Sequence, residues 1–137
     1  MKLYLDIDDT ITADPVFFAK LSHRVRACGG EVHVVSSRSQ EAMSHTRMEI
    51  DALEIAHSSI YLLPSIGDAQ ALCPHRELDW FQKHLWLKIG YALDNEITHA
   101  VDDDKKVLVL FKRYAPSVRA IHVSDRIKLL HFADESA

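Results

Sequence analysis

Short apolar runs alternate with longer segments of helical periodicity along the chain, and this alternation predicts the fold. Five apolar runs are short enough to be buried strands: residues 2–7, 31–36, 59–63, 98–101 and 118–123. Four segments between them have helical spacing or helix-end signals: residues 14–27, 40–56, 77–95 and 105–114. This β-α-β-α order predicts an α/β fold, a Rossmann-like three-layer α/β/α sandwich with a five-stranded parallel sheet.

The apolar positions of the helical segments predict which side chains face the core. The first helix has Asp14 as its N-cap and Pro15 at its first position, and it stops at Cys28-Gly29-Gly30. The predicted apolar faces contain Val16, Phe17, Ala19, Lys20, Leu21 and Val25 in the first helix, Met43, Met48, Ile50, Leu53 and Ile55 in the second, and Trp80, Phe81, Leu85, Ile89 and Leu93 in the third. Residues 65–76 have the least regular pattern. Residues 125–137 form a tail with four apolar residues expected to dock: Ile127, Leu129, Leu130 and Phe132.

Polar side chains collect where three of the predicted strands end. They follow the first, second and fourth strands, and they are Asp6, Asp8, Ser36, Ser37, Arg38, Asp102 and Asp103. Parallel strands present their carboxyl ends at one edge, where open α/β sheets bind ligands, so these segments are expected to meet there. Carboxylates that meet repel one another and are costly to desolvate unless a cation, hydrogen bonds or solvent compensates them. A divalent metal between the two acidic clusters is therefore the leading expectation.

These residue types suit phosphoryl transfer. The reaction needs an in-line nucleophile, a cation that offsets charge and a proton for the leaving oxygen. Asp6 is a candidate nucleophile that would form an aspartyl-phosphate, and Asp8 is a candidate general acid and base. Mg²⁺ prefers hard oxygen ligands, which Asp6 and one of Asp102 and Asp103 can supply. Ser36, nearby backbone N–H groups and a lysine can hold the phosphoryl oxygens.

The set of motifs resembles that of the haloacid dehalogenase superfamily of phosphatases and phosphotransferases. That family has an apolar strand followed by Asp-x-Asp-x-Thr or Val, a strand ending in Ser or Thr, a lysine, and a strand ending in an acidic pair. The matching segments here are Leu3-Tyr4-Leu5-Asp6-Ile7-Asp8-Asp9-Thr10, Val32-His33-Val34-Val35-Ser36, Lys88 and Thr98-His99-Ala100-Val101-Asp102-Asp103. The resemblance covers residues 2–123 and implies a magnesium-dependent phosphatase with that family's fold.

The resemblance implies a role for each acidic residue of the site. Asp6 would be the nucleophile and a metal ligand. Asp8 would be the general acid and base, and its backbone carbonyl would touch the metal. Asp102 would be the principal acidic ligand of the last motif, and Asp103 would be an additional ligand or would support one.

The resemblance also implies which residues bind the substrate. Ser36 and Lys88 would hold the phosphoryl group, and Lys83 is the alternative to Lys88. Three further residues are expected at the substrate-binding edge: Thr10, Ser37 and Arg38. Arg38 can equally well pair with a nearby carboxylate. The aromatic residues near Lys88 are interpreted as core or surface cover rather than as a platform for bases, and they are Trp80, Phe81 and Trp86.

The spacing between the motifs leaves no room for the full cap domain that shields the site in many members of that superfamily. Only one helix fits between Thr10 and Ser36. The chain is therefore expected to be one capless domain over residues 1–137, with residues 65–76 as a small lid. An open site suits a phosphorylated small metabolite, a nucleotide or an exposed macromolecular phosphate, and it is compatible with a homo-oligomer.

Composition argues against several other classes. The net charge of −4 disfavours broad electrostatic binding to nucleic acid or to an anionic membrane. No apolar run approaches the roughly 20 residues of a membrane span, and the N-terminus lacks a signal-peptide pattern, so a cytoplasmic protein is expected. Cys28 and Cys73 allow at most one disulfide. A zinc loop built from Cys73, His75 and His84 lacks the four ligands of a structural site.

Two other functions are compatible with the same fold class. A receiver domain of a response regulator also combines acids, a Ser or Thr and a lysine on a five-stranded parallel sheet. Its phosphorylated aspartate follows the third strand and its lysine follows the fifth. Here those strands end in Leu63-Pro64 and His122-Val123, so this alternative ranks far lower. A catalytically silent binding module is the other alternative, and the intact motif positions argue against it.

Overall fold

The computed structural model describes residues 1–135 of the chain, and its strands form one parallel sheet. The strands are β1 (Lys2–Leu5), β2 (Glu31–Ser36), β3 (Ser59–Leu62), β4 (His99–Asp102) and β5 (Arg119–His122). Their order across the sheet is β3-β2-β1-β4-β5, and every neighbouring pair is parallel. The predicted α/β fold with a five-stranded parallel sheet is confirmed.

Helices cover both faces of this sheet. They are α1 (Pro15–Ala27), α2 (Met43–Ala52), α3 (Ile66–Leu72), α4 (Trp80–Asp94), α5 (Lys105–Tyr114) and α6 (Lys128–Glu135). One layer contains α1, α2 and α6, and the other contains α4 and α5. Side chains along β1 alternate between the two layers: Leu3 and Leu5 pack against the first layer, and Tyr4 packs against the second. α3 packs beside α4 through Ala69 and Leu87.

The helices that border the predicted site begin at the carboxyl edge of the sheet. α4 starts with a capping box, in which the Asp79 side chain accepts from the Gln82 N–H at 2.8 Å and the Gln82 side chain accepts from the Asp79 N–H at 3.0 Å. α5 starts with Asp104, whose side chain accepts from the Lys106 N–H at 2.8 Å. α5 begins directly after β4, and Lys106 in its first turn lies 6.0 Å from the ring of Phe81 in the first turn of α4, so both helices begin beside the ends of the strands.

Several predicted boundaries were wrong. The segment predicted as a helix over residues 40–56 starts as a 3-10 turn, and α2 ends at Ala52 because Glu54 has a φ of 60° and turns the chain. Residues 65–76, predicted to be irregular, contain α3, whose start is capped by Ser65 through the Asp68 N–H at 3.1 Å. The tail contains α6, and residues 136–137 lie outside the described residues.

Some side chains predicted to be buried are exposed instead. They are Val16, Met48, Leu93 and Ile127. Trp80 and Phe81, interpreted as core or surface cover, are also exposed. Helical spacing alone does not tell which of several apolar stripes faces the sheet, and it does not tell where a helix extends past the sheet edge. In the tail, Leu129 is buried, and Leu130 and Phe132 pack against the core as expected.

Two expectations drawn from composition have structural counterparts. Cys28 is exposed, Cys73 is buried, and both are free thiols, so the disulfide that the sequence allowed does not form. Among the helices of residues 1–135, none combines the length and the apolar character that crossing a bilayer requires.

Candidate functional site

The candidate site lies where the chain changes direction across the sheet. From β1 the chain goes on to β2 and β3 on one side, and it later returns to β4 and β5 on the other. Open α/β sheets bind ligands at the carboxyl side of such a switch point. Leu5 pairs with Val101 in the register of β1 and β4, and the Asp6 N–H donates to the Val101 carbonyl at 3.2 Å. The next residues, Asp6 and Asp102, therefore emerge side by side.

Three carboxylates meet at this point. Asp6, Asp102 and Asp103 each offer an oxygen, and these oxygens lie within 4.8 Å of one another. Asp6 is 5% exposed and Asp102 is 0% exposed, while Asp103 is half-buried. The two acidic segments that are distant in sequence thus form one buried cluster.

Lys88 contributes the positive charge of the cluster. It extends from α4, is 3% exposed, and its Nζ donates to Asp6 Oδ1 at 2.9 Å and to Asp102 Oδ2 at 3.1 Å. Lys83, the alternative lysine, lies five residues earlier on α4, on a different face of the helix, and is only half-buried. Of the two lysines, Lys88 is the one that bonds both acids.

Hydrogen bonds hold the carboxylates in position. The Tyr4 hydroxyl donates to Asp102 Oδ2 at 2.7 Å, and the Asp104 N–H donates to Asp102 Oδ1 at 3.0 Å. The Thr10 hydroxyl lies 3.1 Å from Asp6 Oδ2 and 3.3 Å from an oxygen of Asp103. Thr10 therefore supports the cluster directly, in addition to the turn after β1.

Sequence reasoning missed Tyr4 as a member of the site. Its ring is fully buried and meets Phe111 edge to face, with ring centroids 5.4 Å apart. A tyrosine in the middle of a strand buried on both faces is a detectable signal, because its hydroxyl needs a partner inside the core. Here that partner is Asp102.

The burial of the cluster shifts the protonation of its members. Burial raises the pKa of Asp6 to about 8; Lys88 opposes this rise and Asp102 adds to it. Burial alone would lower the pKa of Lys88, but the carboxylates of Asp6 and Asp102 hold it above its usual value. Burial also raises the pKa of Tyr4, with Asp102 adding to it. Three carboxyl groups therefore share one ammonium here, and a bound cation would favour the ionised form of Asp6.

Asp8 lies on the other side of the strand end and pairs with Arg38. The guanidinium donates to both Asp8 oxygens, at 2.8 and 3.0 Å. It also donates to Glu49 at 2.8 Å and to Thr46 at 3.3 Å. Hydrogen bonds from Arg38 lower the pKa of Asp8. Arg38 was expected either to contact the substrate or to pair with a carboxylate, and the structure contains the pair with Asp8.

The serines after β2 differ in their surroundings. Ser36 is 1% exposed, and its hydroxyl oxygen accepts from the Arg38 N–H at 3.1 Å. Ser37 is exposed and lines a groove of about 490 Å³ that also borders Ser65 and His84. The exit of β2 is thus a tight turn that presents one buried and one exposed hydroxyl.

The donor set fits a hard divalent cation. All three acidic residues supply carboxylate oxygens, the hard ligands that Mg²⁺ prefers, and these oxygens lie within 4.8 Å of one another. The side chain of Asp8 is outside this set because it faces Arg38.

The zinc alternative has no support in the described part of the chain. The only His, Cys, Asp or Glu group of residues 1–135 that could hold a metal is the one built on Asp6. His84 bonds the Pro64 carbonyl at 3.0 Å, and His75 packs on the ring of Tyr114. These contacts account for both histidines without a metal.

Comparisons with family models, with curated proteins and with solved structures found no match to this chain. The roles of the site residues are therefore argued from their own geometry.

Proposed function

We propose that the chain is a magnesium-dependent phosphomonoester hydrolase, a phosphatase of the haloacid dehalogenase type. The observation that carries the proposal is the buried ammonium of Lys88 between Asp6 and Asp102, at 2.9 and 3.1 Å, on the ligand-binding edge of the sheet. Buried ion clusters are costly, and strongly shifted protonation at a switch point is typical of functional sites.

The acidic cluster would hold the metal. Asp6, Asp102 and Asp103 would provide carboxylate oxygens. The family resemblance adds the backbone carbonyl of Asp8 as a further candidate ligand. When bound, the ion would offset the charge of the phosphoryl oxygens. Tyr4 would keep Asp102 in the orientation that ligation requires.

Asp6 would act as the nucleophile. Attack of its carboxylate oxygen on phosphorus forms an aspartyl-phosphate, while the bond from phosphorus to the ester oxygen breaks. Asp8 would donate a proton to the departing oxygen and then take one from the attacking water, whose oxygen displaces Asp6 and releases inorganic phosphate. Ser36 and Lys88 would bind the phosphoryl oxygens in both steps.

The ion pair with Arg38 bears on the two tasks of Asp8. A lowered pKa favours the carboxylate, which is the form that activates water. Proton donation needs the protonated form, so the pair must open for the first step. Arg38 also bonds Glu49 at 2.8 Å, and it can keep that contact while it releases Asp8.

Hydrolysis of phenyl phosphate with and without magnesium tests the proposal. The wild type should turn over only with magnesium, and Asp6→Asn should lower kcat by at least about a thousandfold, since loss of a nucleophile costs this much or more. Asp9→Asn is a matched control, because Asp9 is exposed, lies outside the acidic cluster and has a φ of 62° that Asn tolerates. This control should keep its activity.

Two results would contradict the proposal. One is an Asp6→Asn protein that is as active as Asp9→Asn. The other is a wild type that hydrolyses no phosphate ester and does not bind beryllium fluoride in an Asp6-dependent way, which would favour a silent binding module.

The strand order bears on the receiver alternative. The order β3-β2-β1-β4-β5 is that of Rossmann folds, whereas receiver domains have the order 2-1-3-4-5. The ends of β3 and β5, at Leu62 and His122, carry neither the aspartate nor the lysine of a receiver. Both observations support the phosphatase over the receiver.

A further inference from the structure

An exposed phenylalanine lies two turns before Lys88 on the same helix. Phe81 precedes Leu85 by four residues and Lys88 by seven, a spacing that brings all three to one face of α4. Leu85 and Lys88 are 5% and 3% exposed because this face lies on the sheet, but Phe81 is 54% exposed. α4 precedes β4, so its first turns lie at the carboxyl edge. Phe81 therefore extends past that edge, about 10 Å along the helix from Lys88.

A lysine from the neighbouring helix accompanies this ring. Lys106 Nζ lies 6.0 Å from the centroid of the Phe81 ring, in the range of a cation–π contact. Lys106 is also tied to the acidic cluster, because its N–H bonds the Asp104 side chain and the Asp104 N–H bonds Asp102. Phe81 and Lys106 thus form a rim, here called the α4–α5 rim, beside the metal-ligand candidates.

A groove of about 300 Å³ runs along this rim. Its walls are Asp79, Phe81, Gln82 and Leu85 at the start of α4 and Lys106, Val109 and Leu110 from α5. The Asp79 carboxylate accepts from the Gln82 N–H at 2.8 Å as the cap of α4. Val109 is 64% exposed and Leu110 is buried, so the groove has an apolar floor and an open side. An aromatic ring, a nearby ammonium and an apolar floor are together suited to a flat ring that belongs to an anionic ligand.

We propose that the α4–α5 rim is the leaving-group subsite of the proposed phosphatase, and that it selects nucleoside monophosphates by stacking the base on Phe81. The inference rests on the proposed function and adds a substrate class to it. Lys106 would lie beside the stacked base, since its ammonium is 6.0 Å from the centroid of the Phe81 ring.

The separation between Phe81 and Lys88 favours a nucleotide over other phosphate esters. In an aryl phosphate the ring is joined directly to the phosphate oxygen, so a phosphoryl group at Lys88 would leave that ring short of Phe81. In a nucleotide the sugar separates the phosphate from the base, and the base can span the roughly 10 Å along α4. A sugar phosphate without a base has nothing to stack.

Three substrates and three variants test this inference. With magnesium present, kcat/KM is measured for adenosine 5′-monophosphate, ribose 5-phosphate and phenyl phosphate. The wild type should prefer the nucleotide to ribose 5-phosphate by about tenfold or more, the value of one base stacked on an aromatic side chain. Phe81→Ala should reduce that preference by about tenfold, and Phe81→Trp should retain it.

Trp80→Ala is the matched control. Trp80 is 60% exposed and adjacent to Phe81, but it points about 100° away around the helix and should not affect the preference. An equal loss in Trp80→Ala and Phe81→Ala, or a preference unchanged by Phe81→Ala, would overturn the inference. A wild type that prefers phenyl phosphate would also overturn it, in favour of aryl phosphates.

Binding separates failure of this inference from failure of the proposed function. Calorimetry with Asp6→Asn and magnesium should give tighter binding of adenosine 5′-monophosphate than of ribose 5-phosphate, and the added change Phe81→Ala should remove the difference. Equal affinities overturn the subsite whether or not the wild type is active. Absence of hydrolysis for all three substrates, together with absence of Asp6-dependent binding of beryllium fluoride, contradicts the phosphatase whatever the affinities are.

Discussion

A single ammonium group faces three carboxylates in the candidate site. Lys88 contacts Asp6 and Asp102 directly. An oxygen of Asp103 lies within 4.8 Å of an oxygen of each of these two acids. Removing one partner of a buried ion pair leaves the other charge unpaired and desolvated, which is more damaging than losing the attraction alone. Lys88 is therefore expected to matter for stability as well as for phosphate binding.

Substitution of Lys88 by methionine tests this expectation. Lys88→Met should lower the free energy of unfolding by about 3–5 kcal/mol, because the acids lose their buried positive partner. The volume of the side chain is nearly unchanged, so the loss is not caused by a cavity. Lys83→Met is the control, and it should change stability by less than about 0.5 kcal/mol because Lys83 is only half-buried. Urea unfolding without divalent ions measures both. A loss of unfolding free energy for Lys88→Met as small as that of the control would show that the ion pairs of Lys88 do not stabilise the fold.

Residues whose role depends on strand ends were predictable, and residues whose role depends on long-range contacts were not. Asp6, Ser36 and Asp102 follow apolar runs, so their position at one edge follows from the parallel fold. Tyr4 and Glu49 do not follow an apolar run, and only the fold shows that their partners are Asp102 and Arg38. The one sequence signal for Tyr4 is its place inside a buried strand, which does not name the partner. Reactive residues at the ends of strands can therefore be predicted from a sequence, whereas most of the residues that hydrogen-bond and orient them cannot.

At the scale of elements, α3 and α4 show why the helix predictions failed where they did. α3 is short and begins with Ile66-Gly67, and the glycine argued against a helix. The cap at Ser65 and the acid at Asp68 were the missed signal, since Ser-x-x-Asp is a helix start. In α4 the apolar pattern was real, but its first turn extends beyond the sheet and exposes Phe81.

Glycine substitutions test the element boundaries. At Gly67 an added Cβ would meet only Ser65 Oγ at 3.9 Å, so Gly67→Ala should stabilise the protein by up to about 1 kcal/mol through its higher helix propensity. At Gly30 an added Cβ would lie 2.5 Å from the Met1 carbonyl and 2.9 Å from the Val25 carbonyl, so Gly30→Ala should destabilise it by about 1–3 kcal/mol. Thermal unfolding measures both. No gain at Gly67 would argue that residues 66–72 are not helical in solution.

At the scale of the whole molecule, the site depends on topology rather than on any local motif. The central strand β1 lies between β2 and β4, so residues from the start, the first third and the last third of the chain meet at one edge. α4, which packs on one face of the sheet, adds Lys88 to the same edge. Because the fold itself brings these charges together, the stability of the fold should depend on their protonation and on any cation that they bind.

The pH dependence of stability tests this coupling. The pKa of Asp6 is raised to about 8 in the folded protein from 3.8, so between these values the folded state holds a proton that the unfolded state has lost. The free energy of unfolding should therefore fall as pH rises through this window, by at most about 1.4 kcal/mol per pH unit from this group. Asp6→Asn should remove that contribution, and Asp9→Asn should keep it.

Magnesium should raise the free energy of unfolding, whereas rising pH should lower it. A bound cation replaces the proton as the compensating charge at Asp6, so the stabilisation by magnesium should increase as pH rises through the same window. Urea unfolding of the wild type, Asp6→Asn and Asp9→Asn, with and without magnesium at several pH values, measures this. If magnesium stabilises Asp6→Asn as much as the wild type at every pH, then Asp6 is not part of the metal site, and the coupling between site and fold proposed here is wrong.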